Sequence, residues 1–167
     1  MRIAKIFASL FIVFMAVSLF GATILKDWFD YKNCDFCKQW GTDPGLIAHT
    51  HDECRNLTDG ILWITHIDKG YHDRFANVVA AEVKVGEELT AGKPLKLCQY
   101  CNRIAEFTAN GVRIESVGGT DVFITLYTSA DTMQVRKLHE FATQAIAEEA
   151  KANAAFLASE HELKNKK

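Results

Sequence analysis

The pattern of apolar and polar positions divides the chain into an uncharged opening run and a longer part with shorter periods. Residues Ile6 to Leu25 are mostly apolar and carry no charge, with Arg2 and Lys5 before them and Lys26-Asp27 after. At about 1.5 Å of rise per residue, such a run is long enough as a helix for the roughly 30 Å hydrocarbon core of a bilayer. Ala16-Val17-Ser18 or Phe20-Gly21-Ala22 offers small residues for a signal-peptide cut, but the length of the run favours an uncleaved anchor. Both readings leave the basic flank in the cytoplasm. The division predicted is a signal anchor or signal peptide over 1–26 and a single extracytoplasmic domain, periplasmic or at the cell surface, over 27–167.

Beyond the opening run, similar signals occur twice. Cys34-x-x-Cys37 recurs as Cys98-x-x-Cys101, and Trp63-Ile64-Thr65 matches Phe123-Ile124-Thr125 at an offset of 60. Each three-residue match follows a turn signal, Thr58-Asp59-Gly60 or Gly118-Gly119-Thr120-Asp121, and reads as the second strand of a hairpin. Val112 and Ile114 alternate with Arg113 and Glu115 in the strand before the second turn. Helical patterns follow: Phe75, Val78, Val79 and Val83 in the first unit, and Val135, Leu138, Ala142, Ala145 and Ile146 in the second. Asp131 is a suitable N-cap for the latter. Gly92-Lys93-Pro94 ends the former. Each CxxC is expected at the start of a helix; for the second pair, Tyr100, Ile104 and Phe107 mark the buried stripe and Asn110-Gly111 the end.

The predicted fold is α+β. Two αββα repeats, about 33–93 and 94–150, form a four-stranded antiparallel sheet with packed helices, and residues 147–163 extend the last helix beyond the core. Hairpins of this size are not stable alone, which is why they are expected to join.

Charge narrows the class of partner. Of the 19 basic residues, Arg2 and Lys5 belong to the opening segment, so 17 face 21 acidic ones in the remainder, a formal balance of −4. That is no footprint for nucleic acid. Lys164 to Lys167 reads as a solvated tip. The membrane, through the N-terminal helix, is the expected partner; a protein partner stays open, to which an open metal site could hand its ion, and no motif identifies it.

Five cysteines in an exported domain shift attention to sulfur chemistry, since thiols oxidise outside the cytoplasm unless a metal or a reductase protects them. Two sulfurs spaced as CxxC grip one metal ion or close one disulfide, and a helix N-terminus favours the thiolate. Cys34, Cys37, Cys98 and Cys101 together supply the four sulfurs of a tetrahedral zinc site, if the fold brings the pairs together. A second cluster, His49-Thr50-His51-Asp52-Glu53-Cys54, adds His49, His51 and Cys54 as candidate ligands; imidazole with thiolate suits zinc, with copper as the alternative. In isolation the same stretch also reads as a polar edge strand. A thiol-disulfide redox protein and a disulfide-stapled interaction module remain open as alternatives, although no thioredoxin-like βαβ context surrounds either pair.

Catalysis has little support. No Ser/His/Asp set, phosphate-binding glycine loop or HExxH is present, and only cysteine offers a nucleophile. Asn56-Leu57-Thr58 matches a glycosylation sequon but overlaps the first hairpin. Trp28, Phe29, Tyr31, Phe36 and Trp40 read either as an interfacial belt beside the membrane or, for Phe36 and Trp40, as a cap on the core. The expectation is therefore a membrane-anchored metal-binding domain that uses paired CxxC motifs.

Overall fold

Two hairpins share one sheet. The computed structural model describes residues 22–119 and 121–165. The first hairpin pairs β2 (Thr50–Leu57) with β3 (Gly60–Ile67), and the second pairs β5 (Arg113–Gly118) with β6 (Val122–Thr128). They join through antiparallel pairing of β3 with β6, giving the order β2-β3-β6-β5. Ile64 lies opposite Ile124 in that central ladder, so residues sixty apart in sequence occupy equivalent places on either side of the pair. Gly60 is required at the start of β3, because a Cβ there would be driven into the Tyr127 carbonyl. The predicted four-stranded antiparallel α+β architecture with packed helices is present.

Alternation along the central strands decides which face receives the helices. Ile61, Trp63, Thr65 and Ile67 of β3 are buried on that face, with Tyr127 of β6 beside them. The helices are α1 (Lys38–Gly41), α2 (Pro44–Ile47), α3 (His72–Thr90), α4 (Gln99–Ala109) and α5 (Thr132–Asn165). Phe107 from α4 and Leu138, Phe141, Ala142 and Ala145 from α5 complete the main core around Ile61, Trp63 and Tyr127. A second cluster joins Leu46 of α2 and Phe75 and Val78 of α3 to Ile67. Complete burial of Leu138 and Ile61 contributes roughly 1.5–3 kcal/mol each.

The helix ends follow their sequence signals. Asp131 accepts from Met133 N at 2.7 Å ahead of α5, and Gly111 follows the Asn110 C-cap of α4 with φ 84°, a conformation that favours glycine. His139 Nε2 donates to the carbonyls of Leu57 and Gly60, at 3.1 and 3.0 Å, and so ties α5 to the turn of the first hairpin.

Several expectations need correction. The first CxxC does open a helix, with Cys37 as the N-cap of α1, but that helix is a single turn, because Asp43 caps a new one, α2, through Leu46 N and Pro44 stands at its first position. The buried stripe of α3 runs Phe75, Val78, Val85, leaving Val83 42% exposed. The end of α5 does not simply leave the core, since Phe156 is buried and its ring lies 5.2 Å from that of Tyr31. Trp28, Phe29 and Trp40 pack on Phe141, Tyr100 and Phe75, which makes them part of the domain interior.

Most of the expected membrane segment, residues 1–21, lies outside the described residues. Residues 22–25 of the apolar run belong to the fold: β1 (Thr23–Ile24) pairs in parallel with β4 (Lys96–Leu97). Among the described residues, no helix is long and apolar enough to cross a membrane.

Candidate metal centre

The β1–β4 pairing and the loops beside it carry the two CxxC motifs to one place. Thr23 N donates to Leu95 O at 2.8 Å and Leu25 N to Leu97 O at 2.7 Å. The first two helical residues of α4 are satisfied the same way, with Gln99 N donating to Asp27 O and Tyr100 N to Trp28 O, at 3.0 and 3.1 Å. Free N–H groups at a helix start need such acceptors. Cys98 is the N-cap of α4 in extended conformation, and Cys101 follows within the first turn.

The first pair is held by a polar clasp. The Asp30 carboxylate accepts from Lys32 N at 3.0 Å and Asn33 N at 2.8 Å, a turn that a short acidic side chain stabilises. Cys34 N donates to Asp30 O, and Lys38 N to Cys34 O. Asp35 then locks onto β4 in both directions: its N–H donates to Lys96 O at 2.8 Å, and its carboxylate accepts from Lys96 N at 2.7 Å. Lys96 is two residues before Cys98, so this clasp fixes one sulfur pair against the other.

The result is a cluster of four sulfurs, from Cys34, Cys37, Cys98 and Cys101, all within 4.8 Å of one another. Cys37 Sγ lies 3.5 Å from Cys98 Sγ and 3.6 Å from Cys101 Sγ. Zn–S bonds of about 2.3 Å in tetrahedral geometry put sulfurs about 3.8 Å apart, so one ion fits with small adjustments. The separations exceed the roughly 2.05 Å of a disulfide, and the described cysteines are all free. Cys34, Cys37 and Cys98 are buried and Cys101 is half-buried.

Crowding makes the thiols share few protons. Hydrogen bonds from Cys101, Cys37 and Cys98 hold the Cys34 thiol far below its ordinary value. Cys101 moves the opposite way, raised by its bonds to Cys34, Cys37 and Cys98 and by burial. A cation held by these four sulfurs would displace those protons and stabilise the thiolates.

The other predicted ligands stand elsewhere. His49, His51 and Cys54 do not join the cysteine cluster, the one group among the described residues able to hold a metal ion. His49 stacks on Tyr71 with centroids 4.0 Å apart, and its Nδ1 is 2.9 Å from Asp68. His51 is exposed on edge strand β2. Cys54 packs against the main core, where burial pushes its thiol up to about 11. The stretch is the polar edge strand weighed above: alternate residues Thr50, Asp52 and Cys54 turn inward, which separates Cys54 from His49 and His51.

Glu82 and Glu149 escaped notice in the sequence, and Asp52 stood out there only as part of the His49–Cys54 cluster. Asp52, Glu82 and Glu149 line a cavity in the helix-covered side of the sheet, to which Cys37 and Cys101 also contribute. The available signal was phase: Glu82 falls seven residues after Phe75, and Glu149 four after Ala145, each on the buried stripe of its helix. Comparisons with protein-family models, curated proteins and solved structures give no match.

Proposed function

We propose that the domain is a zinc protein in which Cys34, Cys37, Cys98 and Cys101 hold one ion in a closed tetrathiolate site. The convergence of four buried or half-buried sulfurs within 4.8 Å carries this reading. A full set of four protein ligands leaves no position for substrate or water, so the ion is structural. It ties the segment between β1 and α1 to the start of α4 and stabilises the wall of the neighbouring cavity. Cu(I) is the soft-ion competitor, because thiolates suit both metals.

The site and its setting belong together. We place the folded part outside the cytoplasm, anchored through the opening segment, on the charge asymmetry around Ile6 to Leu25. There a bound metal protects thiols that would otherwise oxidise. The two halves also read as a duplicated unit. The pairing of Ile64 with Ile124 and the starts of α3 and α5 at His72 and Thr132, both offset by sixty, support that reading.

Metal analysis with thiol titration tests the proposal. Full-length protein purified in a non-ionic detergent without added metal is expected to carry one zinc per chain and to release additional titratable thiols on chelation. Metal-free protein with two disulfides would replace the proposal with the stapled-module reading. Reversible oxidation of one pair in a metal-free folded protein would favour the redox reading.

A further inference from the structure

A cavity of about 270 Å³ lies between the sheet and helices α1, α3, α4 and α5. Its lining combines two features. Nine of the 21 residues around it are aromatic, among them Trp40 and Phe75 on one side and Trp63, Tyr100 and Tyr127 on the other. Three are carboxylic acids brought from three different elements: Asp52 of β2, Glu82 of α3 and Glu149 of α5. Among the described residues, no lysine, arginine or histidine lines the space.

The acids are short of partners. Asp52 Oδ1 is buried and accepts no hydrogen bond, although a buried acceptor left unpaired costs about 1–3 kcal/mol. Glu82 is deeply placed and accepts one bond, from Trp40 Nε1 at 2.8 Å, while burial pushes its carboxyl up to about 7. Burial, the neighbouring Asp52 charge and a hydrogen bond with the Asp52 side chain push Glu149 up to about 10, so the two acids partner each other without any cation. Buried carboxylates are ordinarily paired or bound to a cation, and here the walls supply no positive charge.

The chemistry of the missing partner can be narrowed. A bare metal ion does not fit, because the cysteines form the one group of ligating side chains close enough to share an ion among the described residues. Asp52, Glu82 and Glu149 therefore do not converge on a point. An anion would meet three acids and no cationic donor. A neutral apolar molecule would leave Asp52 Oδ1 unanswered. An organic cation answers both features: its charge pairs with the carboxylates, and aromatic faces attract ammonium groups. Size sets an upper bound, since a cavity of about 150 Å³ accepts benzene and this one is less than twice as large.

We infer that the cavity binds a small organic ammonium ion, with the Asp52 carboxylate as its counter-charge, the Glu149 carboxyl as a hydrogen-bond acceptor beside it, and the Trp40, Trp63, Tyr100 and Tyr127 rings as its cage. The site adjoins the proposed metal centre but draws on different side chains. Cys37 and Cys101 form part of its wall, and the identity of the metal does not enter.

Isothermal titration of full-length, metal-loaded protein at pH 7.5 tests this inference with 2-phenylethylammonium and choline, against neutral 2-phenylethanol. At least one cation is expected to saturate one site per chain, with the alcohol at least tenfold weaker. Asp52→Asn is expected to weaken that cation tenfold or more and Glu149→Gln to weaken it less, both while leaving the metal content and the near-ultraviolet circular dichroism unchanged. Those spectra separate loss of the site from loss of the fold. Equal binding of alcohol and cation, no saturable binding by either cation, or undiminished cation binding by the folded double variant would each overturn it.

Discussion

The two CxxC pairs meet at one centre but reach it by different physics. Cys98 and Cys101 begin an eleven-residue helix whose Ala105 and Phe107 are buried and whose end is capped at Asn110-Gly111. Packing holds that helix whether or not its sulfurs are ligated. Cys34 and Cys37 precede a four-residue helix with no buried residue, and one turn does not sustain itself in water. That pair depends on the Asp30 turn, the Asp35–Lys96 clasp and the sulfur contacts. One half of the centre is thus preformed, and the other is held by polar bonds and, in the proposed zinc form, by the ion.

Breaking the centre from either side is the largest expected effect. Cys34→Ser and Cys98→Ser should each abolish stoichiometric zinc and lower stability by several kcal/mol, a minor fraction of the roughly 10–16 kcal/mol typical of structural zinc. Calorimetric unfolding should show the double variant no worse than the more damaging single one, because both remove the same site. Additive losses would mean that the pairs act separately.

Chelation should expose the asymmetry directly. After removal of metal from the wild type, hydrogen exchange is expected to accelerate at Asp35, Lys38 and Gly41, while the amides of α4, β3 and β6 keep their protection. Equal loss in α4 would show that the second pair needs the metal as much as the first.

A smaller effect separates the sulfur centre from the neighbouring acids. Glu149 has an unfolded value near 4.5 and is raised to about 10 in the fold, chiefly by burial and then by Asp52. Its carboxyl is neutral in both states below the lower value. As pH rises through the window, the unfolded state ionises first, so stability falls towards pH 10. Glu82 adds to the fall below about pH 7. Thermal melts between pH 6 and 9 should therefore show a declining midpoint that Glu149→Gln flattens, with the metal retained. An unchanged slope would mean that Glu149 is not held neutral by the fold.

The smallest change is expected at the residues that the centre leaves out. His49→Ala, His51→Ala and Cys54→Ser should keep one zinc per chain, and Cys54 should alkylate slowly, since burial holds its thiol near 11. Loss of metal in any of these variants would return them to the ligand set.

Much of this was legible in the chain. The α4 stripe, its Asn110-Gly111 stop, the Asp131 cap and the two turn signals placed two helices and both hairpins, because each is a local preference that packing reinforces. The helix expected after Cys34-x-x-Cys37 broke into two turns, since Pro44 and the Asp43 cap restart it. Cys54 carries the right chemistry, but strand alternation points it into the core. Asp52, Glu82 and Glu149 were hidden because charge normally marks the solvent side of a periodic element. Helical phase puts Glu82 and Glu149 on buried stripes, but only tertiary packing brings all three acids to one cavity.

X-ray absorption at the zinc edge of the full-length protein tests the central claim most directly. Four sulfur neighbours at about 2.3 Å, with no nitrogen or oxygen shell, are the expected result. Two sulfurs with two imidazole nitrogens, or no bound zinc in a protein that is nonetheless folded, would contradict it.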